Sequence, residues 1–185
     1  MNDLSGQAAE RVRPLISVRQ IRDFTDRPVA QSELDAIADA ARWSGSSSNS
    51  QPWRFVVLRD RSTIERLADA AAPQTRALQT ATAAIAIVLP DDAGKAVLLA
   101  YDEGRAAERI LVAASMLGLG AGITWVMTEK REPIRGILGL PGSWFVRTIV
   151  AIGHPSAAAL RPKSAAGAAR LPRSDVVFEE KWPQA

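Results

Sequence analysis

The sequence predicts an α/β or α+β sandwich. Three observations point there. The chain has 185 residues, 47% of them hydrophobic and 23% charged, with a net charge of only +3. That composition argues against disorder and suits one domain with a real core. Four short runs rich in β-branched or aromatic residues alternate with stretches of helical periodicity. No internal repeat interrupts them.

Residues 1–14 are polar and basic without an apolar core, and read as a flexible arm. Ser32 to Trp43 predicts a helix: Ser32 with Asp35 is a capping-box variant, and Leu34, Ile37, Ala38 and Ala41 share one face. SGSSSNSQP, Ser44 to Pro52, breaks all periodicity and reads as a loop. Trp53 to Arg59 predicts a strand. Ser62-Thr63-Ile64-Glu65 is a capping box that opens a helix to about Ala72. Ala84 to Leu89 predicts a buried strand, closed by Pro90-Asp91-Asp92.

Ala96 to Leu117 is the longest periodic stretch. Val97, Tyr101, Gly104, Ala107, Ile110, Leu111, Ala114 and Leu117 follow helical spacing, and the small residues predict a central buried helix. Gly118 takes the C′ role at its end. Ile123 to Met127 predicts a strand, Pro133 to Leu138 a helix, and Phe145 to Ile152 another strand. Gly153 to Ala169 reads as an extended linker. Arg170 to Trp182 keeps Leu171, Val176, Val177, Phe178 and Trp182, and reads as a tail that docks on another surface.

The counts that exclude most are 0 Cys and 1 His. They remove disulfides, thiolate metal sites, cysteine nucleophiles and any two-histidine metal site, so no metal is expected. A Ser-His-Asp triad has only His154 to use, and His154, between Gly153 and Pro155, reads as structural. The hard chemistry falls to something the chain binds. Lys occurs only at 95, 130, 163 and 181, so the positive charge is nearly all Arg, scattered beside acids such as Asp23, Glu65 and Glu108. A nucleic-acid-binding face is not expected. No run of the ~20 apolar residues a membrane span requires is present, and no hydrophobic signal peptide. A cytoplasmic protein without membrane contact is expected.

Two constellations stand out. Arg19-Gln20-Ile21-Arg22-Asp23-Phe24 places two Arg three apart, on one side of a helical turn. Such a pair can grip a phosphate with forked donors, but on its spacing alone it reads first as a solvated helix face. Ser46-Ser47-Ser48-Asn49-Ser50-Gln51-Pro52-Trp53 supplies small donors and acceptors suited to the polar edge of a heterocycle or a ribityl chain. It also reads as a Ser-rich loop whose Trp53 enters the core.

N-x-Q-P-W after this Ser-rich turn resembles the signature of FMN-dependent nitroreductases. R-Q-I-R-D-F, D-E-G-R-A-A-E-R-I-L with its L-G-L-G exit, I-V-A-I-G-H-P and R-L-P-R-S-D-V-V resemble further parts of that family, in order, over roughly Val18 to Trp182. The resemblance implies a three-layer α/β/α sandwich with a mixed, mainly antiparallel central sheet, assembled as an intertwined homodimer. It implies an FMN cofactor and hydride transfer from NAD(P)H to a nitroaromatic, quinone or related small-molecule acceptor. Specialised flavin enzymes on the same fold (dehydrogenase, dehalogenase, deazaflavin-linked) and a non-catalytic FMN-binding protein are the alternatives.

By the same resemblance, Arg19, Gln20, Arg22, Ser46, Ser47, Ser48, Asn49, Gln51, Gly122, Ile123 and Arg170 bind the cofactor. The backbone at Gly122 and Ile123 falls beside flavin N5, and no side chain is catalytic. Arg76 sits near a further phosphate position. Trp43, Tyr101, Trp125 and Trp144 are candidate substrate-stacking residues, with Trp144 expected to be the most exposed. The chain departs from the family pattern at Val18 and Ala168, where basic residues are usual, at Gln20, where serine is usual, and at Gly45, where proline is frequent.

Overall fold

Ala83 to Leu89 are buried without exception, so the strand that carries them has helices on both faces. The computed structural model describes residues 4–162, 164 and 170–182. Its sheet contains β1 (Arg54–Leu58), β2 (Ala83–Pro90), β3 (Gly120–Trp125) and β4 (Trp144–Gly153), in the order β1-β2-β4-β3. Ala83, Ile85, Ile87 and Leu89 pack against helices α2 (Gln31–Arg42) and α4 (Ala96–Met116). Ala84, Ala86 and Val88 pack against α3 (Arg61–Ala70) and α5 (Arg131–Leu138) on the other face. The result is an α/β/α sandwich. All three strand pairings are antiparallel, so the mixed character implied for the sheet does not occur among the described residues.

The helix starts differ from the expected caps. Ala30 N–H donates to Glu33 Oε2 at 2.9 Å, so α2 is closed by Glu33 rather than by Ser32 and Asp35. Asp60, not Ser62, caps α3. Its Oδ2 accepts from Thr63 N at 2.8 Å, Thr63 Oγ1 at 2.6 Å and Ser62 Oγ at 2.7 Å. A carboxylate two residues earlier collects three donors, which a serine hydroxyl cannot do.

Helix α4 is central but buried on one side only. Leu99, Asp102, Glu103, Ala106, Ala107, Ile110, Leu111 and Ala114 face inward. Val97 and Tyr101, expected inside, are 68% and 72% exposed, and Gly104 and Leu117 also face outward. Val97, Tyr101 and Gly104 lie on the face of α4 turned away from the buried residues. Gly118, at φ 72, ends the helix as expected.

Residues 4–14, read as part of an arm, belong to helix α1 (Leu4–Ile16), with Val12, Leu15 and Ile16 exposed. The stretch read as a linker contains α6 (Ala157–Leu160), whose first turn is capped by Ser156 Oγ accepting from Ala159 N at 3.1 Å. No helix among the described residues is long and apolar enough to cross a membrane.

Asp60 is held down from 3.8 to about 2, chiefly by its bonds from Thr63 and Ser62. A depressed carboxyl contributes stability that is complete above its unfolded value and lost as pH falls through the folded one. Asp60→Ala is therefore expected to lower Tm near neutral pH. The gap to the parent should close as pH falls from about 4 toward about 2. Thermal melts across that range check it; a gap independent of pH would contradict the cap.

Candidate functional site

Residues 18–23 form no helix. They run along the free edge of β3 and past the end of β4. Ile21 N–H donates to the Ala121 carbonyl at 2.8 Å, Thr25 N–H to the His154 carbonyl at 2.8 Å, and Ser156 N–H to the Asp23 carbonyl at 3.1 Å. Phe24 pairs with Pro155 in an isolated antiparallel bridge. Glycines permit this approach. A β-carbon on Gly122 would lie 2.2 Å from the Ile21 carbonyl oxygen, and one on Gly153 would lie 3.0 Å from Phe24.

Ile21 and Phe24 thus point into the core, while Arg19, Gln20 and Arg22 face outward. The two arginines are brought together by an extended edge segment, not by the helical turn expected from their spacing. With Arg161, Arg170, Glu108 and Leu111 they line a cleft of about 570 Å³. A second cleft of about 430 Å³ shares Gln20 and Arg22 and adds Arg76, Gln79 and Thr80. Arg19 is steadied by donating to the Leu160 carbonyl at 2.8 Å. Four guanidinium groups and one carboxylate around a cleft of this size make a receptor for a multiply charged oxyanion.

Gln20 stands between the clefts. Its Oε1 accepts from Arg22 Nη2 at 2.6 Å and from Ile123 N–H at 3.2 Å. Both partners are donors, so chemistry fixes the amide orientation and leaves Nε2 as a donor for a ligand. Ile123 therefore presents its N–H at the sheet edge, where Gln20 takes it. Gly122 serves differently: its lack of a side chain admits Ile21. The serine usual at position 20 is thus replaced by a longer group that spans Arg22 and β3. Position 168 lies outside the described residues.

The Ser-rich loop sits against α4. Asp102, 2% exposed, accepts from Ser47 N–H at 3.1 Å through Oδ1 and 3.2 Å through Oδ2. Ser46 Oγ accepts from Gln51 N–H at 2.9 Å. Ser48, Asn49 and Gln51 adopt φ of 49°, 52° and 47°, a left-handed conformation costly to residues other than glycine. Trp53 is buried in the core as expected. A third cleft, of about 660 Å³, runs from Gly45 and Tyr101 to Arg105 and Glu108. Glu108 lines both this cleft and the arginine cleft.

The aromatic candidates do not converge within one chain. Trp43, Tyr101 and Trp125 are 71%, 72% and 47% exposed. Trp144, expected to be the most exposed, is half-buried, with Arg54 5.4 Å from its ring centroid. His154 is half-buried and contributes its carbonyl to the edge segment. Sequence reasoning missed Arg161, hidden in a stretch read as a linker, although it is a lone arginine in a run of small residues. It also missed the contact from Asp102 to the loop, which only the fold reveals.

Asp102→Ala removes the acceptor for Ser47 N–H from a strained loop. Hydrogen exchange at that amide should speed up by roughly ten-fold or more, equivalent to ~1.4 kcal/mol of lost local stability. Unchanged exchange at Ser47 would show that the loop holds itself.

Comparison with known proteins bears on what this site does. A model described as the nitroreductase family matches residues 17–88. An inferred NADH dehydrogenase/NAD(P)H nitroreductase of Archaeoglobus fulgidus is 30% identical over 152 residues, covering 79% of this chain and 86% of that one. The FMN reductase [NAD(P)H] of Bacillus subtilis is 28% identical over 94% of this chain and 74% of its own length. Among solved structures, an FMN-dependent nitroreductase of Clostridium difficile superposes with a TM-score of 0.78 at 27% identity, covering 91% of this chain and 98% of that one.

Proposed function

The chain belongs to the nitroreductase family, and from that premise we propose that it is an FMN-dependent oxidoreductase. It takes reducing equivalents from NAD(P)H and delivers them to a small acceptor such as a nitroaromatic or a quinone. The observation that carries this reading is the arginine-lined cleft on the glycine edge of β3. Its donor set fits a phosphate monoester dianion, and its residues fall within or beside the segments the family resemblance identified.

Arg19, Arg22, Arg161 and Arg170 would hold the phosphate, with Gln20 Nε2 as an additional donor. Ser46, Ser47, Ser48, Asn49 and Gln51 offer hydroxyl and amide groups to the polar edge of the cofactor. When bound, FMN supplies hydride and single-electron chemistry at its ring. The chain's part is to bind, orient and bias charge. Ile123 N–H faces outward and reaches a ligand acceptor by exchange with Gln20 Oε1. Among the described residues no group of three or more His, Cys, Asp or Glu is arranged to hold a metal. Nothing in this scheme asks for one.

A second copy of the chain completes the site in this reading. In one chain the Ser-rich loop and the arginine cleft adjoin through Glu108, and the aromatic residues face outward. Val97, Leu98 and Tyr101 at the start of α4, Met116 and Leu117 at its end, and Leu171, Val176, Val177 and Trp182 on the tail are large apolar side chains left exposed. Apolar surface of this extent is what obligate interfaces cover.

Anaerobic mixing of FMN-loaded protein with NADPH or NADH tests the proposal. Bleaching of the oxidised flavin, followed by recovery on adding a nitro or quinone acceptor, is expected. Protein that cannot be loaded with FMN, or flavin that neither nicotinamide reduces, would overturn it. Arg22→Ala and Arg170→Ala should each weaken FMN binding by roughly 1–3 kcal/mol, the range for charge-assisted hydrogen bonds. Fluorescence-quenching titrations read this directly, and unchanged affinity in both variants would remove the phosphate assignment.

A further inference from the structure

At the Trp125 end of β3, a charged cluster packs against aromatic rings and takes no part in the arginine cleft. Ile87 faces Thr148 and Val88 faces Val146 across the β2–β4 ladder, so Arg147 is the extra residue of a β-bulge. Bulges re-aim side chains. Arg147 Nε donates to Glu103 Oε2 at 2.6 Å, and the two side chains are only 15% and 4% exposed. The Arg147 guanidinium lies 5.8 Å from the Trp125 ring centroid. Val126 N–H donates to the Arg147 carbonyl at 2.8 Å, tying the bulge to the end of β3.

A second cation stands beside the first. The Arg131 guanidinium lies 4.3 Å from the Phe145 ring centroid. Burial first, and Arg147 next, pull Arg131 below its ordinary value, while Asp91 and Glu103 act in the opposite direction. Arg131 Nε and Glu103 Oε1 have no hydrogen-bond partner among the described residues. Arg147 thus holds the buried carboxylate, and Arg131 feels the charges of both without bonding to either. Asp91 is exposed, so water screens its share of the compensation. An excess positive charge remains, partly desolvated.

Trp125 lies against Arg147, the guanidinium coupled to Arg131, and is still 47% exposed. A cation behind an indole draws π-density toward itself, so the outer face favours rings that carry negative charge. Trp125 is also two residues along β3 from Ile123, roughly 7 Å by strand rise.

We infer that Trp125, backed by Arg147 and Arg131, is a specificity wall that takes planar aromatic anions in preference to neutral rings of the same shape. Glu103 is a positioning residue that aims Arg147 and trims the charge behind the wall. The role in selecting an acceptor rests on the proposed oxidoreductase reading, but the binding preference is measurable without turnover.

Equilibrium dialysis of FMN-loaded protein against 4-nitrobenzoate and 4-nitrobenzamide tests it. The parent should bind the carboxylate more tightly by roughly five-fold, the scale of one partly screened charge contact. Arg131→Gln, which removes the excess charge, should bring the ratio near one. Glu103→Gln keeps the shape and removes the compensating charge, so it should raise the ratio. A merely structural role would not move the two variants in opposite directions. If Arg131→Gln fails to fold, the direction of the Glu103→Gln shift decides. A parent ratio near one, or a ratio that Glu103→Gln leaves unchanged or lowers, overturns the inference. Failure of NAD(P)H to reduce the flavin would sink the oxidoreductase reading while leaving this ratio intact.

Discussion

The Ile21 carbonyl oxygen occupies the space where a side chain at position 122 would begin, 2.2 Å from an ideal β-carbon. Backbone can approach backbone this closely only over glycine. The contact lets Ile21 N–H bond to the Ala121 carbonyl and sets which side chains of the edge segment face the core. Ile21 and Phe24 go inward, and Arg19, Gln20 and Arg22 go outward. Gly120 and Gly153 repeat the device, under the Ile21 side chain and under Phe24. Everything proposed for the phosphate follows from this docking, because the arginines have no helix to organise them. Arg161 and Arg170 then close the cleft from the tail side.

Helix α4 is the second organising element. Asp102 and Glu103 are adjacent, so they point about 100° apart. One takes the Ser-rich loop through Ser47 N–H, and the other takes the β4 bulge through Arg147. Buried carboxylates are tolerated when hydrogen-bonded to donors that need them. Both rest on a helix anchored in the core by Ile110 and Ala114, which are fully buried. Loop and sheet end are therefore referenced to one rigid part. A loop with three left-handed residues is thereby given a buried anchor.

Element type was legible in the chain wherever periodicity was long. The apolar face of α2 read correctly because burial repeats at the helical period, and Ala84 to Leu89 because a short unbroken apolar run closed by Pro90 marks a strand covered on both faces. The resemblance supplied Arg19, Gln20, Arg22 and Arg170 as one set, and the fold brings all four to the arginine cleft. Caps were misread because Asp60 and Glu33 outcompete the serines that fit the usual pattern. Val97 and Tyr101 were misplaced because α4 carries apolar residues on its outer face as well as its inner one, so hydrophobicity alone does not tell the faces apart. The Arg147–Glu103 pair was invisible, since a bulge leaves no mark in periodicity and the partners are 44 residues apart in sequence. Asp102 and Glu103 had only their spacing to offer, and spacing says what they cannot do together rather than what each holds.

The central claim is that the glycine-permitted docking of the edge segment builds the cofactor cleft. Gly122→Ala tests it most directly, with FMN affinity and exchange at the Ile21 amide measured on the same folded sample. The account predicts a cooperative melt, faster exchange at Ile21, and FMN binding weakened by roughly ten-fold or more, equivalent to ~1.4 kcal/mol. A folded variant with a displaced edge segment and unchanged FMN affinity would contradict it.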